Sequence, residues 1–184
     1  MTTPIFETEN LYLYPLELID SDQIQITFPQ WEIVRYLAAT FPWPYPTDGA
    51  YQYLNNIALP RSEEGKAWFW TIRHKKEPNI IIGMISLSDQ QDDNRGFWLT
   101  PKWQGNGYMT EASMIVTEFW FNTLNKSVLR VPKAKINVAS KKISENSGMR
   151  LIATSKKQYI SGELDTELWE ITKEEWNKKY HVLI

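Results

Sequence analysis

Residues Arg95 to Ala112 read R-G-F-W-L-T-P-K-W-Q-G-N-G-Y-M-T-E-A and restrict the folding of this chain more tightly than any other stretch. Phe97, Trp98 and Leu99 make a short apolar strand, Pro101 stops it, and Gly105 and Gly107 punctuate a turn. A helix is expected from about Gly107 to about Leu124, since Met109, Ala112, Val116, Phe119, Trp120 and Thr123 recur near the period of one buried face. A strand that feeds a glycine turn and then a helix leaves backbone N–H groups unpaired at the positive end of the helix dipole, and glycine lets an anion approach them. A phosphate is the natural guest, although two glycines also serve simply to make a tight turn.

Two phosphate motifs fail to match. The P-loop string G-x-x-x-x-G-K-[ST] is absent, and the dinucleotide fingerprint needs a third glycine where Thr110 stands and an acidic residue about twenty positions on. No Asp or Glu occurs between Phe119 and Ser144, so a dinucleotide site is not expected.

The segment Lys102-Trp103-Gln104-Gly105-Asn106-Gly107 resembles the acetyl-CoA loop of the GNAT superfamily of N-acetyltransferases, Q/R-x-x-G-x-G/A, with Lys in the first place. The continuation Tyr108-Met109-Thr110-Glu111-Ala112 is similar to the branch that contains the ribosomal-protein N-terminal (alanine) acetyltransferases. Further matches lie apart from the loop. Asn137-Val138-Ala139-Ser140, Glu145 and Gly148-Met149 resemble the N-x-A-S-x-x-x-x-E-x-x-G-F stretch, with Met for Phe, and Phe41 to Tyr45 and Asp165 to Trp176 also look like that branch. The resemblance covers nearly the whole chain and implies an α/β (α+β) GNAT fold. Its central sheet would be mixed but mostly antiparallel, of about seven strands flanked by helices and splayed at the acetyl-CoA site.

At 184 residues, one domain over 1–184 is expected, a size that buries about two thirds of its surface on folding. With 42% hydrophobic and 23% charged residues, disorder is not indicated. The absence of cysteine removes a disulfide framework, a cysteine zinc site and an acyl-enzyme thioester, so acyl transfer would go directly to the acceptor. His74, in the polar turn HKKEPN, and His181 have no metal-ligand spacing; both are expected at the surface, and no metal is expected. The start MTTPIFETEN has no secretory pattern and no run of eighteen apolar residues exists, which makes a cytoplasmic protein without a membrane partner the expectation. A net charge of −2 argues against nucleic acid as a general partner.

In chain order, Leu11 to Leu16 reads as a strand and Asp20 to Thr27 as a short helix, with Trp31, Val34, Leu37 and Ala38 at helical spacing. Phe41-Pro42-Trp43-Pro44-Tyr45-Pro46 must be a rigid loop; its aromatic density favours a wall over the cleft, while a polyproline ligand for a partner domain is the other reading. Thr47 caps a helix from Asp48 to Leu59 with Ala50, Tyr53, Leu54 and Ile57 on one face. Ala67 to Arg73 and Ile80 to Leu87 form a hairpin with a bulge at Gly83, and Val128 to Val138 is a strand. Ser140 to Ser147 is a short helix closed by Gly148, Leu151 to Ile160 and Leu164 to Thr172 pair around Ser161-Gly162, and Thr172 with Glu175 opens the last helix by a capping box.

The resemblance assigns roles residue by residue. Backbone N–H groups from Gln104 through Gly105, Asn106 and Gly107 to Tyr108 would hold the pyrophosphate of acetyl-CoA, with Lys102 at the head of the motif. The pantetheine arm would pair with Phe97, Trp98, Leu99 and Thr100, and a backbone N–H near Leu99 would polarise the thioester carbonyl. Asn137 would meet the pantetheine amides, and Lys142 or Lys141 the nucleotide phosphates. Many superfamily members place a tyrosine acid where this chain has Ser144, so Ser140 is nominated as thiolate stabiliser or acid, a helix N-cap being its alternative role. Asp165 and Glu167 are candidate bases for the amine, and an α-amine, with a pKa of about 8 against about 10 for an alkyl amine, needs less help. The acceptor is a peptide N-terminus or a small amine, and dimerisation is an expectation from the branch alone. Two other readings stand: a non-catalytic acyl-CoA-binding sensor on the same fold, and an aromatic-rich interaction module built on Phe41 to Pro46.

Overall fold

The computed structural model describes residues 2–181. Eight strands form two antiparallel sheets, where about seven strands in one mixed sheet were expected. The first sheet is a meander of β1 (Phe6–Glu7), β2 (Leu11–Pro15), β3 (Ala67–His74), β4 (Gly83–Ser88) and β5 (Arg95–Leu99). The second has the order β6 (Val128–Ala134), β8 (Gly162–Thr172), β7 (Arg150–Tyr159). The additional strand is the two-residue β1, too short to leave a period in the sequence, and all pairing within the sheets is antiparallel.

Both faces of the first sheet are covered, because β3 is apolar on both sides. Trp68, Trp70 and Ile72 enter one core with Met109, Ala112 and Val116 of α5 (Tyr108–Glu118) and Phe119 just after it. Ala67 and Phe69 enter the other, with Ile24 of α1 (Ser21–Thr27), Ile33 and Val34 of α2 (Trp31–Val34), and Ala50 of α3 (Gly49–Tyr53). Helix α3 continues through a π-turn, Leu54–Ala58, into α4 (Leu59–Glu63). The sequence-predicted end at Leu59 is overrun because the wider turn accommodates Pro60, which has no N–H to give. Ala50, Leu54 and Ala58 are the buried face there, Tyr53 and Ile57 are exposed, and Asp48 rather than Thr47 occupies the N-cap.

Helix α5 also passes into a π-turn, Phe119–Thr123, which shifts the phase and leaves Thr123 exposed. Strand β6 ends at Ala134, so Ile136 and Val138 are exposed instead of continuing its buried face. Gly83 pairs with Ile72 and Leu99, and the Ile82 N–H also donates to Ile72 O at 2.9 Å, so two residues oppose one on the β3 side as expected; a Cβ at Gly83 would lie 2.4 Å from the Trp98 carbonyl oxygen. The glycine is needed for close approach of β4 and β5.

The nine tryptophans divide by place. Trp68, Trp70, Trp120, Trp169 and Trp176 are core residues, Trp98 and Trp103 line the cleft described below, and Trp31 and Trp43 are exposed. Buried indoles find acceptors: Trp70 donates to Pro4 O at 2.7 Å, Trp120 to Val128 O at 2.8 Å, Trp169 to Glu167 at 3.1 Å and Trp176 to Glu118 at 2.8 Å. Helix α7 (Lys173–Tyr180) opens with the predicted Thr172/Glu175 capping box.

Candidate active site

Among the described residues, Asn94 carries the backbone pairing that joins the two sheets. The Asn94 N–H donates to Arg130 O at 2.8 Å, and Asn94 Oδ1 accepts from the Arg130 N–H at 2.8 Å. The Asn94 amide nitrogen ties back to Ser88 O and Gln90 O, so the junction is anchored on the first sheet. Beyond it β5 and β6 share no rung, and the sheet splays.

The exposed edge of β5 follows from its pairing with β4. The Thr100 N–H donates to Ile82 O at 2.8 Å, which makes Thr100, Trp98 and Gly96 the hydrogen-bonded positions of that antiparallel ladder. Phe97 and Leu99 therefore point their backbone N–H and C=O groups away from β4, into the splay. The Leu99 carbonyl is taken by the Gln104 side-chain amide at 2.8 Å, and the two N–H groups remain for an added strand.

The loop beyond completes one wall. Gly105 and Gly107 have φ of +79° and +83°, and a Cβ at either would touch nothing within 4 Å; their backbone conformation, not crowding, calls for glycine. The Gln104 N–H closes a short 3₁₀ turn onto Pro101 O, and the Glu111 N–H begins the helical ladder on Gly107 O. Between them the N–H groups of Gly105 to Thr110 have no partner among the described residues. Gln104 thus contributes its side chain, not its N–H. The first-turn acid, Glu111, is turned away by bonds from the Asn10 N–H at 2.7 Å and its side-chain amide at 3.0 Å; against burial, the Thr8 hydroxyl and then Asn10 hold its carboxyl below the usual range. It does not oppose an anion at the turn.

His74 braces this loop and is buried, not at the surface. Its ring lies 4.9 Å from that of Trp103 and 5.0 Å from that of Tyr108, and Nδ1 accepts from the Lys76 N–H. His181, by contrast, is exposed, beside Glu118.

The facing wall is α6 (Val138–Asn146). Its N-cap is Asn137, whose side chain accepts from the Ser140 N–H at 3.3 Å, so the capping role considered for Ser140 belongs to Asn137. Ser140, half-buried, lines the cleft, whereas Ser144, one turn further on, is fully buried against the Lys133 ammonium group and does not line it. Lys133 Nζ also donates to Ser140 O at 3.1 Å, fixing the first turn of α6 from behind. Burial, with Arg95 nearby, brings the Lys133 pKa down to about 7. Arg95, itself enclosed, drops to about 10 and donates to Thr117 at 2.8 Å.

The walls enclose a cleft of about 470 Å³. Of the sequence-predicted residues, Phe97, Trp98, Leu99, Gln104, Gly105, Gly107, Tyr108, Asn137, Ser140 and Lys142 line it. Thr100 is buried in the β4 ladder, Lys102 is exposed over Trp103, and Asn106 folds its amide onto Trp103 O and Gln104 O; these three do not line the cleft. Neither candidate base reaches it. Asp165 is exposed, and Glu167 is buried beneath α6, 3.5 Å from Lys141, rather than solvated on a surface strand.

One stretch of the lining was not anticipated: Glu32, Ile33, Arg35 and Tyr36, of α2 and the turn after it. This segment crosses between the sheets, with Ala39 N–H on Gln158 O and Ile160 N–H on Leu37 O joining it to the β7–β8 hairpin. The helical spacing at 31–38 was visible in the sequence, but its place over the cleft arises from that long-range pairing. The proline loop stands one ring further back. Phe41 and Tyr45 stack at 5.4 Å and both pack on Phe28, which meets Trp98 at 5.3 Å; burial raises the Tyr45 pKa to about 12.

The cleft can accept an extended arm along β5 and an anion on the glycine turn. Solved structures share this fold. A ribosomal-protein-S5-alanine acetyltransferase from Vibrio fischeri aligns with a TM-score of 0.81 at 19% identity, over 94% of this chain and 98% of that one. RimL, a ribosomal L7/L12 α-N-protein acetyltransferase in complex with coenzyme A, aligns at 0.77 and 15% identity over 92% and 98%. Mycobacterium smegmatis RimJ, in complex with a CoA disulfide, aligns at 0.76 and 16% over 90% and 83%. At such identities the likeness is one of fold. No curated protein matches by sequence. The model of the acetyltransferase (GNAT) domain matches residues 10–150, most of the chain, and the chain is thus a member of the GNAT acetyltransferase family.

Proposed function

We propose that this enzyme, as a single domain over 1–184, transfers the acetyl group of acetyl-CoA directly to a primary amine: a peptide or protein N-terminal α-amine of the ribosomal-protein type, or a small-molecule amine. The observation that carries the reading is the junction of a free strand edge at Phe97 and Leu99 with a cluster of unpaired N–H groups at Gly105 to Tyr108, in one cleft. The first suits a pantetheine arm, and the second a pyrophosphate. A RimL structure in this fold holds coenzyme A, and a microcin-immunity acetyltransferase, MccE, holds acetyl-CoA and AMP.

In this reading the Leu99 N–H donates to the thioester carbonyl as negative charge develops there. The neutral amine nitrogen attacks the carbonyl carbon and the C–S bond breaks; the proton that the nitrogen loses reaches the thiolate through Ser140 Oγ, which takes one proton as it gives one. Asn137 offers its amide nitrogen to the pantetheine, and Lys142 meets phosphate from the α6 side. Thr100, Lys102 and Asn106 shape the loop rather than touch the arm. Calorimetric titration with acetyl-CoA, NAD serving as control, tests the donor. Micromolar binding to the wild type and loss of at least about tenfold in Gly107→Trp is expected, since a side chain at that positive φ strains the turn and projects into the space the phosphates would take. No binding to the wild type sinks the reading.

A further inference from the structure

Five of the six arginines place a side-chain nitrogen on an acceptor: Arg61 on Ser88, Arg73 on Asp20, Arg95 on Thr117, and Arg130 and Arg150 on Glu170. Arg35 has none among the described residues, and its Nε is shut off from water without a partner. Its guanidinium lies 4.7 Å over the Tyr36 ring, and its backbone carbonyl is pinned by the Ser161 N–H at 3.3 Å. A planar fork held by a ring and facing a cleft is organised for a carboxylate.

Glu32 lines the same cleft one helical turn earlier and has no hydrogen bond or ion pair among the described residues. At this spacing an acid and an arginine commonly meet. Here they stay apart, which leaves one anionic and one cationic anchor beside each other. The phosphate-binding features, the glycine turn and Lys142, belong to other elements.

We propose that the acceptor carries a carboxylate a few bonds from the amine to be acetylated, with Arg35 receiving the carboxylate and Glu32 holding the amine end. This rests on the acetyl-transfer reading above. A free α-amino acid and a peptide with an acidic residue near its N-terminus both present that pair of groups.

The test compares kcat/KM for free alanine against alaninamide, and for a C-terminally amidated tetrapeptide with Asp in second place against its Asn counterpart, using wild type, Arg35→Met and Arg35→Lys. In at least one pair the carboxylate member is expected to be preferred about tenfold or more, mainly through KM. The pair that responds distinguishes the amino acid from the peptide. Arg35→Met should bring the ratio near one and Arg35→Lys keep part of it. Calorimetry with acetyl-CoA separates the levels of failure. Absent acetyl-CoA binding overturns the acetyl-transfer reading and this inference with it. Binding without a carboxylate preference in wild type, or without turnover of either carboxylate acceptor, overturns the inference alone. So does weakened acetyl-CoA affinity in Arg35→Met, which would place Arg35 on the donor. The wild-type comparison stands even if a variant fails to fold.

Discussion

Replacing Lys133 by methionine should change the shape of the stability curve against pH, by an amount that the structure sets. The ammonium group of Lys133 is enclosed between β6 and α6, with Arg95 facing it from β5, Glu167 opposite on β8 and Glu145 on α6. Burial is the largest influence and Arg95 adds to it; the two carboxylates oppose, and the pKa falls from 10.5 to about 7. Between those values the unfolded chain holds a proton that the folded chain has released, so stability rises with pH. Below about pH 7 both states are protonated and the cost of the buried charge is constant. The window is worth ~1.4 kcal/mol per pH unit, which integrates to about 2.5 kcal/mol between pH 7.5 and 9.5. Methionine nearly conserves volume and cannot titrate. It also abandons the bonds to Ser140 O and Ser144 Oγ, so the slope, rather than the absolute level, is the readout. Urea unfolding of both proteins at the two pH values should show wild type gaining about 2.5 kcal/mol relative to Lys133→Met, a relative midpoint shift of about 1 M. Curves that stay parallel would refute the argument that this lysine is desolvated.

Gly83→Ala drives a Cβ onto the Trp98 carbonyl and should cost about 2–4 kcal/mol by urea unfolding; an unmoved midpoint would mean that the sheet gives way easily. Asn94→Ala removes the side-chain bond from the Arg130 N–H across the junction and the two that anchor it on the first sheet, with an expected loss of about 2–3 kcal/mol and weaker acetyl-CoA binding by calorimetry. Retained affinity would show that the splay is held elsewhere. Ser140→Ala should lower kcat with little change in acetyl-CoA affinity, while Ser144→Ala, whose hydroxyl is behind the wall, should act on stability. The reverse ranking would move the proton donor.

The glycine loop was legible because its chemistry is local. Positive φ, a proline stop and a helix start leave marks in consecutive residues, and the structure puts Gly105 and Gly107 where those marks indicate. The strand edge at Phe97 and Leu99 was legible too, as was the α6 wall with Asn137 and Ser140. Misreadings arose where a local pattern met a distant partner. His74 looked like a turn residue until Trp103 and Tyr108 closed around it, and Glu167 stood as a candidate base until α6 covered it. The two π-turns, at Leu54–Ala58 and Phe119–Thr123, displaced faces that a uniform 3.6-residue period had assigned.

By itself the sequence determined the family, the elements and the glycine-turn side of the cleft, because each is written in short-range periodicity, turn chemistry and a contiguous motif. The tertiary structure alone decided that the sheet divides at Asn94, that Lys133 and Arg95 are enclosed, and that Glu32 and Arg35 face the cleft without a side-chain hydrogen bond or ion pair among the described residues. Those are outcomes of pairing between segments dozens of residues apart, Asn94 with Arg130 and Ala39 with Gln158. Burial and free valence depend on what the rest of the chain brings alongside, and no residue carries that information in its neighbours.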